Sequence, residues 1–147
     1  MGTFLLTKKF RLEMAHALVG YAGKHRHLHG HSYRLEVTVG CDSEALVSEG
    51  SDAGMGIDFG VIKSIVERTI VEPYDHSLFI RRTEQTEEVV EVLSRHFEAV
   101  HATEWQPTSE NLASHFASLI APHLPEGVRL HSIRLHETEH NCAELVL

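Results

Sequence analysis

At 147 residues and 16.5 kDa the chain has the length of one domain, residues 1–147, around one hydrophobic core. A formal charge of −8 and a pI near 5.9 argue against a nucleic-acid backbone partner, which would demand a basic stripe. Lys8, Lys9 and Arg11 sit inside the first apolar segment and no apolar run approaches the ~18 residues of a membrane span, so no membrane partner and a cytoplasmic location are expected. Two cysteines, Cys41 and Cys142, make neither a disulfide framework nor a CxxC metal knuckle.

Phe4, Leu6, Phe10, Leu12 and Met14 occupy even positions, which predicts a half-buried strand running to about Met14. Gly20 and Gly23 then open a loop that extends to His27. From Tyr33 to Cys41 apolar residues return on alternate positions and predict a second strand, antiparallel to the first if the loop is a wide hairpin. Asp42 to Gly56 is rich in Ser, Gly, Asp and Glu and reads as an exposed excursion. Asp58 is suited to cap a helix from about Phe59 to Val71, which Glu72-Pro73 ends; Tyr74 to Ser77 then begins a turn.

The stretch Glu84 to Ala102 fits a short amphipathic helix or an exposed insertion equally well. Pro107-Thr108-Ser109-Glu110-Asn111 begins a second main helix, with hydroxyls to cap it and a carboxylate near the positive end of its dipole. Val128 to Glu137 and Cys142 to Leu147 read as a closing hairpin. Strands flanking helices in this order predict an α+β fold with helices on one face of an antiparallel sheet.

Chemistry concentrates in His29-Gly30-His31, within a chain that holds 13 histidines. Side chains at i and i+2 of a strand share a face, so His29 and His31 can hold one ion, and His16 on a neighbouring strand would supply a third nitrogen. Three neutral imidazoles and an open position suit a catalytic zinc, since structural sites are closed by four ligands. His25, His27, His29 and His31 share one parity, and spacing alone does not choose among them.

Several segments in order resemble the 6-pyruvoyl-tetrahydropterin synthases and their bacterial relatives, the 6-carboxy-tetrahydropterin synthases of the queuosine pathway. They are Phe10-Arg11-Leu12-Glu13-Met14-Ala15-His16, Leu28-His29-Gly30-His31-Ser32-Tyr33, Gly56-Ile57-Asp58-Phe59, Asp75-His76, Pro107 to Ala113 and His136-Glu137-Thr138. The resemblance implies a T-fold, described as a four-stranded antiparallel sheet with helices on one face, assembled as trimers paired into a homohexamer with sites between subunits. It implies Zn2+ on His16, His29 and His31 and lyase action on a small-molecule pterin, 7,8-dihydroneopterin triphosphate.

By the same resemblance Asp75 orients His76 as a proton carrier, and Glu137 anchors the pterin with Thr108, Ser109 and Glu110 lining the pocket. Glu137 is also odd locally, because it continues the apolar face of Ile133 and Leu135. The chain departs from the family at one place: His25 stands where the catalytic cysteine is expected. An imidazole has a pKa suited to proton transfer, so His25 is a candidate base; it is also a candidate extra ligand. Relatives without that cysteine include enzymes that cleave the side chain by a retro-aldol step, leaving a 6-hydroxymethyl-pterin. A silent pterin- or metal-binding oligomer is the remaining alternative.

Overall fold

The computed structural model describes residues 1–147. Its centre is the long antiparallel pair β1 (Thr3–Ala17) and β2 (His29–Asp42), in register from Thr3 opposite Asp42 to His16 opposite His29. The period-two pattern turns Leu12, Met14 and His16 of β1 and Tyr33, Leu35, Val37 and Val39 of β2 inward, where all are buried. β5 (Val128–His136) adds antiparallel to β2, with a bulge between Thr38 and Val39, and β6 (Cys142–Val146) adds antiparallel to β5.

Two strands lie on the other side of β1. β3 (Ser77–Arg81) runs parallel to β1, and β4 (Val100–Thr103) runs parallel to β3, giving the order β4-β3-β1-β2-β5-β6. The sheet therefore has six strands and is mixed, where four antiparallel strands were expected. Both extra strands were hidden for a physical reason. Leu78, Phe79 and Ile80 form a continuous apolar run without alternation, since a parallel strand can be covered on both faces. Val100 to Thr103 is too short to show any period.

α1 (Phe59–Val66) begins at Asp58, whose carboxylate accepts the Gly60 N–H at 2.7 Å. The helix does not stop at Val71. It widens into a π turn over Glu67–Val71 and continues as α2 (Glu72–Tyr74), so Pro73 lies within its last turn. The widened turn comes just ahead of Pro73, whose ring has no N–H to give. α3 (Glu87–His96) resolves the ambiguous stretch into a helix followed by β4. α4 (Ser109–Ile120) is capped by Thr108, whose hydroxyl accepts the Asn111 N–H at 3.2 Å.

The main core lies between the sheet and helices α1 and α4, with Ile62, Ile65, Val66, Leu112, Phe116 and Ile120 packed on the inner sheet residues. No helix is long and apolar enough to cross a membrane. Ile133 is fully buried at the middle of β5. Ile133→Ala is expected to cost about 2–5 kcal/mol in a urea melt, because the cavity adds to the lost transfer energy; a loss below about 1 kcal/mol would show that this face of the sheet is loosely packed.

Candidate metal centre and adjoining cleft

The register brings three imidazoles together at the end of the β1–β2 pair. His16 and His29 are opposite each other and His31 is opposite Met14, so their inward side chains converge. Ring centroids are 4.7 Å apart for His16 and His29, 4.8 Å for His29 and His31, and 5.2 Å for His16 and His31. Gly30 lets the strands close between them: a Cβ there would stand 3.2 Å from the Met14 carbonyl oxygen.

Two of the rings are oriented by backbone carbonyls. Nδ1 of His16 donates to the Pro107 carbonyl at 2.7 Å, and Nδ1 of His29 donates to the His27 carbonyl at 2.6 Å. A carbonyl only accepts, so each Nδ1 carries the hydrogen and each Nε2 presents a lone pair to the cluster. Nε2 of His29 and of His31 are buried without a hydrogen-bond partner. Unpartnered buried polar atoms carry a desolvation cost that a bound cation would remove from a neutral ring's lone pair, and the donor set suits a divalent metal.

Glu137 completes the group. It follows β5, and its Oε1 is 2.9 Å from His31 Nε2 and 3.8 Å from His16 Nε2. The close His31 contact lies off the hydrogen-bond axis, as the unpartnered Nε2 shows. Oε2 accepts the Ser109 hydroxyl at 2.8 Å. One ligand atom from each of His16, His29, His31 and Glu137 lies within 4.8 Å of the others, so these residues could hold a metal. Glu137 thus sits in the same chain as the three imidazoles, with no second chain needed to bring them together.

Burial is the main electrostatic influence. It holds the His16 and His31 imidazoles below their ordinary range, against the opposing pull of the Pro107 carbonyl on His16 and of the Glu137 carboxylate on both. Neutral rings are what metal ligation requires. Burial also pushes the Tyr33 phenol well up, with Glu137 adding to it; its hydroxyl is 3.4 Å from His16 Nδ1. Tyr33 and the Pro107 carbonyl were missed by sequence reasoning. Tyr33 looked like one more inward strand residue, and a carbonyl carries no residue-type signal.

The other expected residues are divided. His25, on the short turn Lys24–Arg26, stacks between Tyr21 and His29, with ring centroids 5.9 and 5.5 Å away. Thr108 is used as a cap while Ser109 reaches Glu137. Glu110, expected beside them, is exposed on the first turn of α4; successive helical positions are about 100° apart, so it turns away from Ser109.

Asp75 and His76 lie elsewhere, between α2 and β3 and against Glu13 of β1. Asp75 accepts the Glu13 N–H at 2.8 Å through Oδ1, and its Oδ2 lies 2.9 Å from His76 Nδ1. The His76 N–H donates to the Glu13 carbonyl at 2.6 Å, holding His76 at a φ of 62°, which is unusual for a residue with a Cβ. The His76 side chain is 77% exposed. Met14 is in register with Ser77, so His76 falls level with Glu13, roughly 10 Å along the strand from His16. His31 and His76 line a common cleft of about 870 Å3, walled on the far side by Leu93 and Phe97.

A mixed sheet backed by two helices, with three imidazoles and a carboxylate at one end, defines a T-fold protein with a candidate metal centre. The family model for 6-pyruvoyl tetrahydropterin synthase matches residues 5–146, and the chain belongs to that family. It is 32% identical over 142 residues to the 6-carboxy-5,6,7,8-tetrahydropterin synthase of Haemophilus influenzae, covering 96% of this chain and 97% of that protein. It is 31% identical over 139 residues to the enzyme of that name from Rickettsia bellii, with 92% and 94% covered. Among solved structures, an uncharacterized Wolinella succinogenes protein superposes with a TM-score of 0.79 at 19% identity, covering 99% of each chain. The Caenorhabditis elegans 6-pyruvoyl tetrahydropterin synthase gives 0.69 at 18% identity, covering 100% of this chain and 97% of that one. These two structures support the fold.

A pH test follows from the buried imidazoles. In metal-free protein His16 and His31 titrate below 6.5, the value of the unfolded chain, so the unfolded state takes up these protons first as the pH falls. Their contribution to stability is complete above about pH 6.5 and is lost progressively below it. The metal-free melting temperature should drop on acidification, and His31→Gln should remove part of that drop; identical profiles for the two proteins would contradict the burial argument.

Proposed function

We propose that this chain is a zinc-dependent pterin lyase acting on 7,8-dihydroneopterin triphosphate, of the 6-carboxy-tetrahydropterin synthase type. The observation that carries the reading is the convergence of the His16, His29 and His31 rings, with Nε2 of His29 and of His31 buried and unpartnered, in a chain whose curated relatives bear that name. Zn2+ fits this donor set, and when bound it would supply Lewis-acid polarisation of the substrate's side-chain oxygens.

In this reading the remaining work falls to the protein's own groups. Glu137 accepts the paired N–H donors of the 2-aminopyrimidinone edge, an arrangement to which a carboxylate's two oxygens are matched. Ser109 orients that carboxylate through their 2.8 Å hydrogen bond. His25 is close enough to the imidazole cluster to move a proton at the substrate side chain, in place of the family's cysteine. His76, with its Nδ1 beside the Asp75 carboxylate at 2.9 Å, is the second proton carrier.

We read Asp75 and His76 as serving a site shared between copies, in a homohexamer of two trimers. Two features support this: the exposure of His76 and the unpaired outer edges of β4 and β6, which are exposed to pairing with another chain. The domain spans residues 1–147, and a cytoplasmic setting suits the reading.

Glu137 separates an open centre from a closed one. If it anchors pterin, Glu137→Ala should keep one zinc per chain by elemental analysis while pterin affinity falls by at least about tenfold, the loss expected of a charge-assisted bidentate contact. Loss of zinc instead would make Glu137 a fourth ligand and the centre a structural one.

The reaction itself is tested by mass analysis of products from zinc-loaded protein, beside His25→Cys and His25→Ala. A carboxy-pterin product that disappears in His25→Ala is expected. A 6-hydroxymethyl-pterin would assign the retro-aldol step, a reading favoured by the absence of a cysteine from this loop: Cys41 is buried in β2 and Cys142 is on β6. Turnover by His25→Cys alone would mean a binding protein that lacks its catalyst.

A further inference from the structure

The face of the sheet opposite the imidazole cluster carries an unusual pairing. Odd positions of β1 and even positions of β2 point there, and the register sets Arg11 directly opposite Arg34. Like charges facing each other across two strands are unfavourable, with Cβ atoms about 5 Å apart. Neither guanidinium has an acidic partner, although the chain carries a net charge of −8. Three other arginines have acidic partners, Arg82 with Glu87, Arg129 with Asp42 and Arg134 with Glu144; what sets Arg11 and Arg34 apart is that they face each other across the strands.

The two arginines line a hollow of about 430 Å3 together with Lys9, Phe10, Glu36 and His136. Its one carboxylate is already engaged, since Glu36 accepts from His136 Nε2 and lies 4.0 Å from Lys9. The hollow therefore presents two free guanidiniums with an ammonium two residues along the same strand face, roughly 7 Å from Arg11. One register step the other way are Glu13 and Ser32, which line the cleft containing His76.

We propose that Arg11 and Arg34 form a binding site for linked phosphate groups, either the tail of a pterin triphosphate or a free polyphosphate. Guanidinium forks match phosphate oxygens bidentately, and a chain of linked phosphates spans the distance to Lys9. The anion relieves the repulsion between the arginines, which accounts for a cross-strand pair that otherwise lowers stability. The site lies on the face away from the imidazoles and does not rest on the metal reading; only its use for a substrate tail rests on the pterin reading.

The test is calorimetric titration of metal-free protein with tripolyphosphate at low ionic strength, beside Arg11→Gln/Arg34→Gln and the control Arg129→Gln. Binding by wild type and control is expected, with a loss of more than about tenfold in the double variant. The double variant should melt no lower than wild type, because the repulsion is gone, so its lost binding would not come from unfolding. Equal binding by wild type and double variant, or none by wild type, would overturn the site. Dihydroneopterin and its triphosphate identify the source: weakened binding of the triphosphate alone assigns the substrate tail, and unchanged binding of both assigns free polyphosphate. Failure of the pterin reading would leave the tripolyphosphate result intact.

Discussion

The pairing of β1 with β2 is the constraint on which the rest of the molecule depends. Because side chains alternate, slipping this register by one residue would send Leu12, Met14 and His16 to the opposite face and empty both the core and the cluster. The same alignment that buries Tyr33, Leu35 and Val37 under α1 and α4 puts His16 opposite His29. Core and site are therefore two readings of one hairpin, with Gly30 allowing the strands to approach at the crowded end.

The cluster is held by backbone as much as by side chains. The Pro107 carbonyl at the start of α4 and the His27 carbonyl before β2 fix the ring tautomers of His16 and His29. The segment that caps α4 also supplies Ser109 to Glu137. The helix start and the centre are coupled in consequence: moving α4 along the sheet would disturb a ring orientation, a carboxylate and a helix cap together. By contrast, Asp75 and His76 hang from the Glu13 backbone by two hydrogen bonds at the other side of β1, facing a cleft rather than the cluster. Sheet topology sets these two groups apart within one chain, and it leaves the His76 side chain exposed.

Much of this was legible in the sequence because local periodicity and tertiary burial agree. The alternation in β1 and β2, the Asp58 and Thr108 caps and the closing hairpin β5–β6 all follow from short-range rules that the tertiary environment did not override. The i, i+2 spacing of His29 and His31 was likewise a local signal. Choosing those two from the four histidines of equal parity required more. His25 and His27 fall in the turn before the strand, where parity no longer maps to a sheet face.

Sequence by itself determined which residues alternate, where helices α1 and α4 begin and which side chains bring metal-binding chemistry, because these depend on neighbours a few positions away. Only the tertiary structure decided that the sheet has six strands, that β3 and β4 join it in parallel, and that Glu137 turns back to within 2.9 Å of His31. Those facts rest on contacts between segments tens of residues apart. Pro107, for example, is 91 positions from the His16 ring it orients, and no local pattern encodes a carbonyl's distant partner.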